Sequence, residues 1–237
     1  MIKTQLERML AGKLYDPSDA ELAELRLKAH KLSRRYNNTD EDETELRGEI
    51  LAELTPNAQS GLFLQGPVYF DYGIFTRFGK NCYANFNFTV LDCCPVTIGD
   101  DVFFGPNCSL LTPMHAMLPA ERNIRFRPDG SMYDLEYAKP IVIGNNCWLG
   151  GNVIVCGGVT IGDGSVIGAG SVVTRDIPPG HLAVGNPCRV IRRITPADSV
   201  ELKSSILQKT EASTFSLPLF LRIKIPAHDV GHAPVQF

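Results

Sequence analysis

Aliphatic residues recur every sixth position through the second half of the chain. Starting at Ile143, the sequence reads Ile-Gly-Asn-Asn-Cys-Trp, Leu-Gly-Gly-Asn-Val-Ile, Val-Cys-Gly-Gly-Val-Thr, Ile-Gly-Asp-Gly-Ser-Val, Ile-Gly-Ala-Gly-Ser-Val and Val-Thr-Arg-Asp-Ile-Pro. Positions 143, 149, 155, 161, 167 and 173 are Ile, Leu or Val, and 144, 150, 162 and 168 are Gly. The fourth place after each aliphatic holds a small or apolar residue: Cys147, Val153, Val159, Ser165, Ser171 and Ile177. The same spacing reaches upstream through Ile98, Phe104 and Leu110, and more loosely through Phe78, Ala84 and Val90. Neither an α-helix nor a sandwich strand has this period. One inward side chain per hexad predicts a short strand and a sharp turn, three hexads to a triangular coil, with Gly and Asn at the corners. Stacked coils make a parallel β-helix, stable only as an array.

Residues 1–60 follow the helical period instead. A short helix over about 3–11 is expected to end at Gly12. A second starts at the capping spacing Ser18-Asp19-Ala20-Glu21, with Leu22, Leu25, Leu32 and Tyr36 on one stripe. Thr39 to Asp42 repeats the starting signal ahead of Leu46, Ile50, Leu51 and Leu54, and Pro56 closes that helix. The expected organisation is therefore a helical cap (1–60), a β-helix (61–196) with an inserted loop (112–140), and an extension (197–237). The loop is polar, carries Pro113, Pro119, Pro128 and Asp129-Gly130, and contains His115. A long loop inside a regular solenoid is usually functional. In the extension, 199–209 suggests a short amphipathic helix and 215–225 an apolar strand or arm.

Composition narrows the function classes. Lys and Arg total 23 against 26 Asp and Glu, a formal net charge of −3, so no basic excess exists to neutralise nucleic acid. No apolar run is long enough for a transmembrane helix, and the N-terminus has no apolar signal core, so a cytoplasmic protein is expected. The seven cysteines are odd in number and include no C-x-x-C pair. They read as reduced, buried thiols rather than a zinc site or a disulfide framework.

Several stretches carry a family resemblance: Ala11-Gly12-Lys13-Leu14-Tyr15, Tyr83-Ala84-Asn85-Phe86-Asn87, Leu91-Asp92-Cys93-Cys94-Pro95, Asn145 to Gly151, and Gly185-Asn186-Pro187-Cys188-Arg189-Val190-Ile191. Together they resemble the maltose/galactoside O-acetyltransferases, over residues 1 to about 195. The resemblance implies a mostly-β, left-handed parallel β-helix with a small helical cap. It implies acetyl transfer from acetyl-CoA, as co-substrate, to a sugar hydroxyl, by homotrimers with sites between subunits. It gives His115, in Thr112-Pro113-Met114-His115, the role of general base. Asp71, Asn85 and Asp92 fall at acceptor-side positions. Gly105, Gly151, Ala169, Thr174, Arg175, Arg189 and Arg192 fall at CoA-side ones. Glu136 matches the maltose-type branch.

The chemistry of these side chains agrees with such roles and leaves alternatives. An alcohol is a weak nucleophile near neutral pH, and an imidazole is the natural base to take its proton. Backbone N–H groups at a turn suit the oxyanion. Glu136 either supports the imidazole or is an ordinary loop carboxylate. Asp71 and Asp92 either accept from sugar hydroxyls or cap turns. Arg175, Arg189 and Arg192 suit CoA phosphates or are a solvated face. Trp148 either lines the pantetheine path or packs outside the coil. His30, His181, His228 and His232 read as non-functional, and only His115 and His181 lie within the repeats or their loop, too few for a three-histidine zinc cage; no metal is expected. Two other functions remain open: O- or N-acetylation of a specialised metabolite, and a non-catalytic solenoid scaffold.

Overall fold

The computed structural model describes residues 4–201. The expected arm at 215–225 and most of the helix at 199–209 lie outside the described residues. Three helices come first: α1 (Gln5–Leu10), α2 (Ala20–Asn37) and α3 (Thr44–Leu54). Thr4 and Glu7 form a reciprocal capping box on α1, and Gly12 leaves the helix at φ +65°. α2 starts one residue later than the capping spacing suggests. Asp19 caps it, while Ser18 is held in a turn by Asp16. α3 starts well after the Thr39–Asp42 signal. The Thr39 hydroxyl donates to Tyr36 O to close α2, and Glu43 accepts from Asp40 N, so these residues form a connecting turn.

From Phe63 onward the chain winds a left-handed β-helix with three parallel faces. The first face stacks Phe63–Leu64, Tyr83–Ala84, Phe103–Phe104, Trp148–Leu149, Val166–Ile167 and His181–Val184. The second stacks Val68–Phe70, Phe88–Leu91, Ser109–Leu111, Ile154–Cys156 and Val172–Val173. The third stacks Thr76–Phe78, Val96–Ile98, Ile141–Ile143 and Thr160–Ile161. Each hexad aliphatic from Ile143 to Val173 is at most 1% exposed, and each partner four places on is at most 4% exposed. The inward assignments of the hexads therefore hold throughout. An antiparallel strand, Arg189–Arg193, pairs with His181–Val184 and ends the first face. Residues Pro196–Asp198 form a 3₁₀ turn with its own capping box.

The corners differ in chemistry. Between the first and second faces, Asn87, Asn107 and Asn152 adopt left-handed φ near +60°. Their side-chain amides form a ladder, 2.9 Å from Asn87 to Asn107 and 3.1 Å from Asn107 to Asn152. Between the third and first faces, Asn81, Asp101 and Asn146 take the same conformation. The corner between the second and third faces has no such ladder, and the 112–140 insertion leaves from it.

The helices close the open end of the solenoid. Leu32, Tyr36, Ile50 and Leu54 pack into one core with Leu64, Val68, Phe70 and Phe78. The first coil lacks a preceding strand, so its outward carbonyls need donors. Tyr36 Oη donates to Leu64 O at 2.5 Å, and the buried Arg47 guanidinium donates to Leu64 O at 2.6 Å. No helix among the described residues is long and apolar enough to cross a membrane.

Candidate active site

The insertion is an ordered arm rather than a structureless loop. Its base is an antiparallel pair, Pro113–His115 with Glu136–Ala138. Its outer part carries a second pair, Arg125–Phe126 with Met132–Tyr133, turned at Asp129-Gly130. The cap grips the base. Tyr15 N donates to Glu136 O at 3.0 Å and Glu136 N donates to Tyr15 O at 3.2 Å. Asp16 forms an ion pair with Arg127. At Gly12, a Cβ would lie 2.9 Å from Ala138 O, so only glycine lets the cap come this close.

This grip sets the chemical pair. The register puts Glu136 opposite His115, and Glu136 Oε2 lies 4.0 Å from His115 Nε2. That is an ion-pair separation, longer than a hydrogen bond; catalytic contacts of this kind often tighten only with substrate bound. The imidazole is half-exposed, whereas the carboxylate is largely buried. Burial raises the Glu136 pKa above the ordinary carboxyl value, and His115 opposes the rise.

Asp71 lies at the same corner, two coils earlier. Its carboxylate is 3.5 Å from His30 Nε2 and accepts from the Cys93 thiol at 3.6 Å. His30, Ser33, Arg34, Tyr69, Asp71 and Leu91 line a cavity of about 440 Å³ beside α2. Burial pushes the Cys93 thiol up, which keeps it protonated. Tyr15, Cys93, Asp71, Glu136 and His115 thus form one polar group at the corner between the second and third faces.

Asp92 corrects its acceptor-side assignment. It is 0% exposed. It accepts from Tyr72 N, Gly73 N, Phe75 N and Thr76 Oγ1 at 2.8–3.2 Å. Every donor comes from the corner of the preceding coil, so the carboxylate organises that turn and offers nothing to a ligand. Burial outweighs the donors and leaves its pKa raised.

The other positions separate into groups. Asn85, Gly105, Gly151 and Ala169 all stand at the corner between the first and second faces. Asn85 accepts from Phe86 N at 2.7 Å. A full strand with its turns, roughly 15–20 Å at about 3.3 Å per residue, separates that corner from His115. At Gly105 a Cβ would meet Gly151 N at 2.5 Å, so that glycine is also required for coil stacking, whereas a Cβ at Gly151 would come no nearer than 3.4 Å to Pro106. Trp148 lies outside the coil, 56% exposed, beside Phe103 on the first face. Thr174 and Arg175 are exposed at the corner of His115 but further along the solenoid, and Arg189 and Arg192 lie on the closing strand. Among the described residues, no group of three or more His, Cys, Asp or Glu is arranged to hold a metal ion.

By spacing, the sequence assigns Tyr15 and Cys93 no function: nothing links residue 15 to residue 136, and Cys93 reads like the other buried thiols.

Comparison with known proteins agrees with this architecture. Residues 8–54 match the maltose acetyltransferase hexapeptide capping motif, residues 140–175 match six repeats of the bacterial transferase hexapeptide, and residues 95–111 match the hexapeptide repeat of succinyl-transferase. The galactoside O-acetyltransferase of Escherichia coli is 44% identical over 192 residues, covering 81% of this chain and 90% of the relative. A galactoside acetyltransferase structure in complex with coenzyme A superposes with a TM-score of 0.75 at 41% identity, covering 83% of this chain and 94% of the other. A Vibrio cholerae hexapeptide-repeat acetyltransferase structure complexed with acetyl-CoA gives 0.70 at 35% identity, covering 81% and 100%. The chain belongs to the hexapeptide-repeat acetyltransferases, close to the maltose/galactoside O-acetyltransferase branch.

Proposed function

We propose that this protein transfers acetyl from acetyl-CoA directly to a hydroxyl of a sugar or other small polyhydroxylated acceptor, with His115 as general base. The observation that carries the reading is the cross-strand pair of His115 and Glu136 at the base of the arm. The acceptor oxygen attacks the thioester carbonyl as His115 takes its proton. The carbon–sulfur bond then breaks, and the imidazolium returns the proton to the leaving thiolate. Glu136 supports the imidazolium. Asp71, at the same corner, is suited to accept from acceptor hydroxyls. A sugar-like acceptor is supported by the galactoside-acetylating relatives and by this carboxylate-rich corner. CoA phosphates suit Arg175, Arg189 and Arg192, with the pantetheine arm passing Gly105, Trp148, Gly151, Ala169 and Thr174.

The working form in this reading is a homotrimer. Two facts support it. Asn85 and Gly105 are too far from His115 to serve the same small molecule within one chain, so they meet a neighbour's arm. In addition, Phe103 and Trp148 on the first face, and Met117, Leu118, Ile124 and Phe126 on the arm, are large apolar side chains left exposed. A cytoplasmic location fits the seven free cysteines.

The direct test is His115→Ala with turnover followed as free-thiol release from acetyl-CoA. Turnover should fall by roughly 10²–10⁴, the usual worth of a general base, with unchanged thermal melting. Near-normal turnover refutes the assignment.

A further inference from the structure

Glu136 is the middle member of a row of three. Its backbone N–H and C=O both bond to Tyr15 on one side, while His115 stands opposite on the other. In antiparallel pairing, residues directly opposite project to the same face, and the pair without mutual backbone bonds brings its side chains closest. His115, Glu136 and Tyr15 therefore stand side by side, with the carboxylate in the centre.

The Tyr15 hydroxyl is unusual. The residue is 1% exposed, and its buried oxygen has no hydrogen-bond partner. Burial raises its pKa far above the ordinary phenol value, so it stays protonated. It is a buried donor whose acceptors stand close by but outside hydrogen-bond geometry, and native proteins rarely leave one so. Its polar neighbours are the Cys93 thiol and the Glu136 carboxylate. The charged and titratable groups facing Glu136 are His115 and Asp134 from the arm, Asp71 and Cys93 from the coil corners, and Tyr15 from the cap. Of these, the carboxylates repel Glu136, and His115 attracts it only once protonated.

We propose that Tyr15 is a positioning residue for acetyl transfer: its hydroxyl donates to the Glu136 carboxylate as His115 takes up the acceptor proton. The proposal rests on the reading of His115 and Glu136 given above. At that moment the carboxylate must stay ionised and aimed at the imidazole, in a site where burial favours its neutral form. A hydroxyl fixed from behind does both. It also gives the helical cap a part in the chemistry beyond closing the solenoid, because the strand-like segment after Gly12 delivers Tyr15 to the row.

Tyr15→Phe keeps the ring and both backbone bonds and removes only the unpaired oxygen. Its melting temperature should equal or exceed that of the unaltered protein. Its kcat should fall roughly tenfold, as expected for one hydrogen bond to a charged group, with KM for acetyl-CoA within about twofold. In the Glu136→Gln background the same change should lower kcat no further, because the two act through one contact. An unchanged kcat in Tyr15→Phe, beside an impaired Glu136→Gln, overturns this proposal alone. Losses that multiply in the double variant also overturn it, since they mark a packing role. Full activity in Glu136→Gln removes the reading beneath it.

Discussion

Glu136 is held where water is scarce, with opposite consequences for stability and chemistry. Its pKa is raised in the folded chain, so the folded state keeps this proton to a higher pH than the unfolded state does. Stability therefore falls as pH rises from the ordinary carboxyl pKa, about 4, through the raised folded value. Glu136→Gln removes that loss. Thermal melts between about pH 4 and 8 should show the variant at least as stable as the parent at neutral pH, with a flatter pH dependence, while turnover drops. A variant that melts lower at neutral pH contradicts this account. Asp92 behaves differently because four donors depend on it. Asp92→Ala leaves them buried and unpaired and should cost about 3 kcal/mol or more in urea unfolding. A loss under about 1 kcal/mol would mean that the turn does not need this carboxylate.

At the scale of elements, the solenoid assigns different work to its three corners. Two are regular, built on left-handed Asn, Asp and Gly. The corner between the second and third faces carries left-handed Gly73 and Gly158 but no amide ladder, and the chain uses it for the arm, for Asp71 and for Cys93. Asn81 lies at a regular corner, at φ +55°, with its amide donating to Asp101 Oδ1 at 3.0 Å. Asn81→Ala forces a Cβ residue into a conformation it disfavours and deletes that bond. The expected loss is about 2 kcal/mol of unfolding free energy with kcat unchanged. The cap contributes at the same scale through Arg47, whose guanidinium reaches the carbonyls of Leu64 and Gln65 and stacks on Tyr36 at 4.5 Å. Its role at the solenoid's open end explains why a charged residue is buried there with no ion-pair partner among the described residues.

For the whole molecule, the proposed trimer answers the separation of Asn85 from His115. A triangular prism has flat faces, and three prisms side by side create three grooves with closed symmetry. Light scattering should return three times the chain mass. Mixing subunits that carry His115→Ala with subunits that carry Asn85→Ala should restore activity, because some grooves then combine an intact His115 from one chain with an intact Asn85 from the next. An active monomer, or no recovery on mixing, defeats the composite site.

What the sequence determined by itself is everything that repeats locally. Ile143, Leu149 and Val155 announce inward positions because each hexad meets the same core as the one before it. The Leu22–Tyr36 stripe announces its helix for the same reason. The Thr39–Asp42 signal does not start α3, because Thr39 bonds back to Tyr36 O and Asp40 N donates forward to Glu43. The polar segment 112–140 gives no strand period, yet folds as an arm by pairing with itself at its base and at its tip and by one bridge to the cap at Tyr15. Asp92 and Asp71 read alike as acidic turn residues, and only burial tells them apart. The Tyr15–Glu136–His115 row joins residues more than a hundred positions apart. No period or spacing encodes such a meeting; it follows from the path of the coils and from the glycine at position 12 that lets two backbones touch.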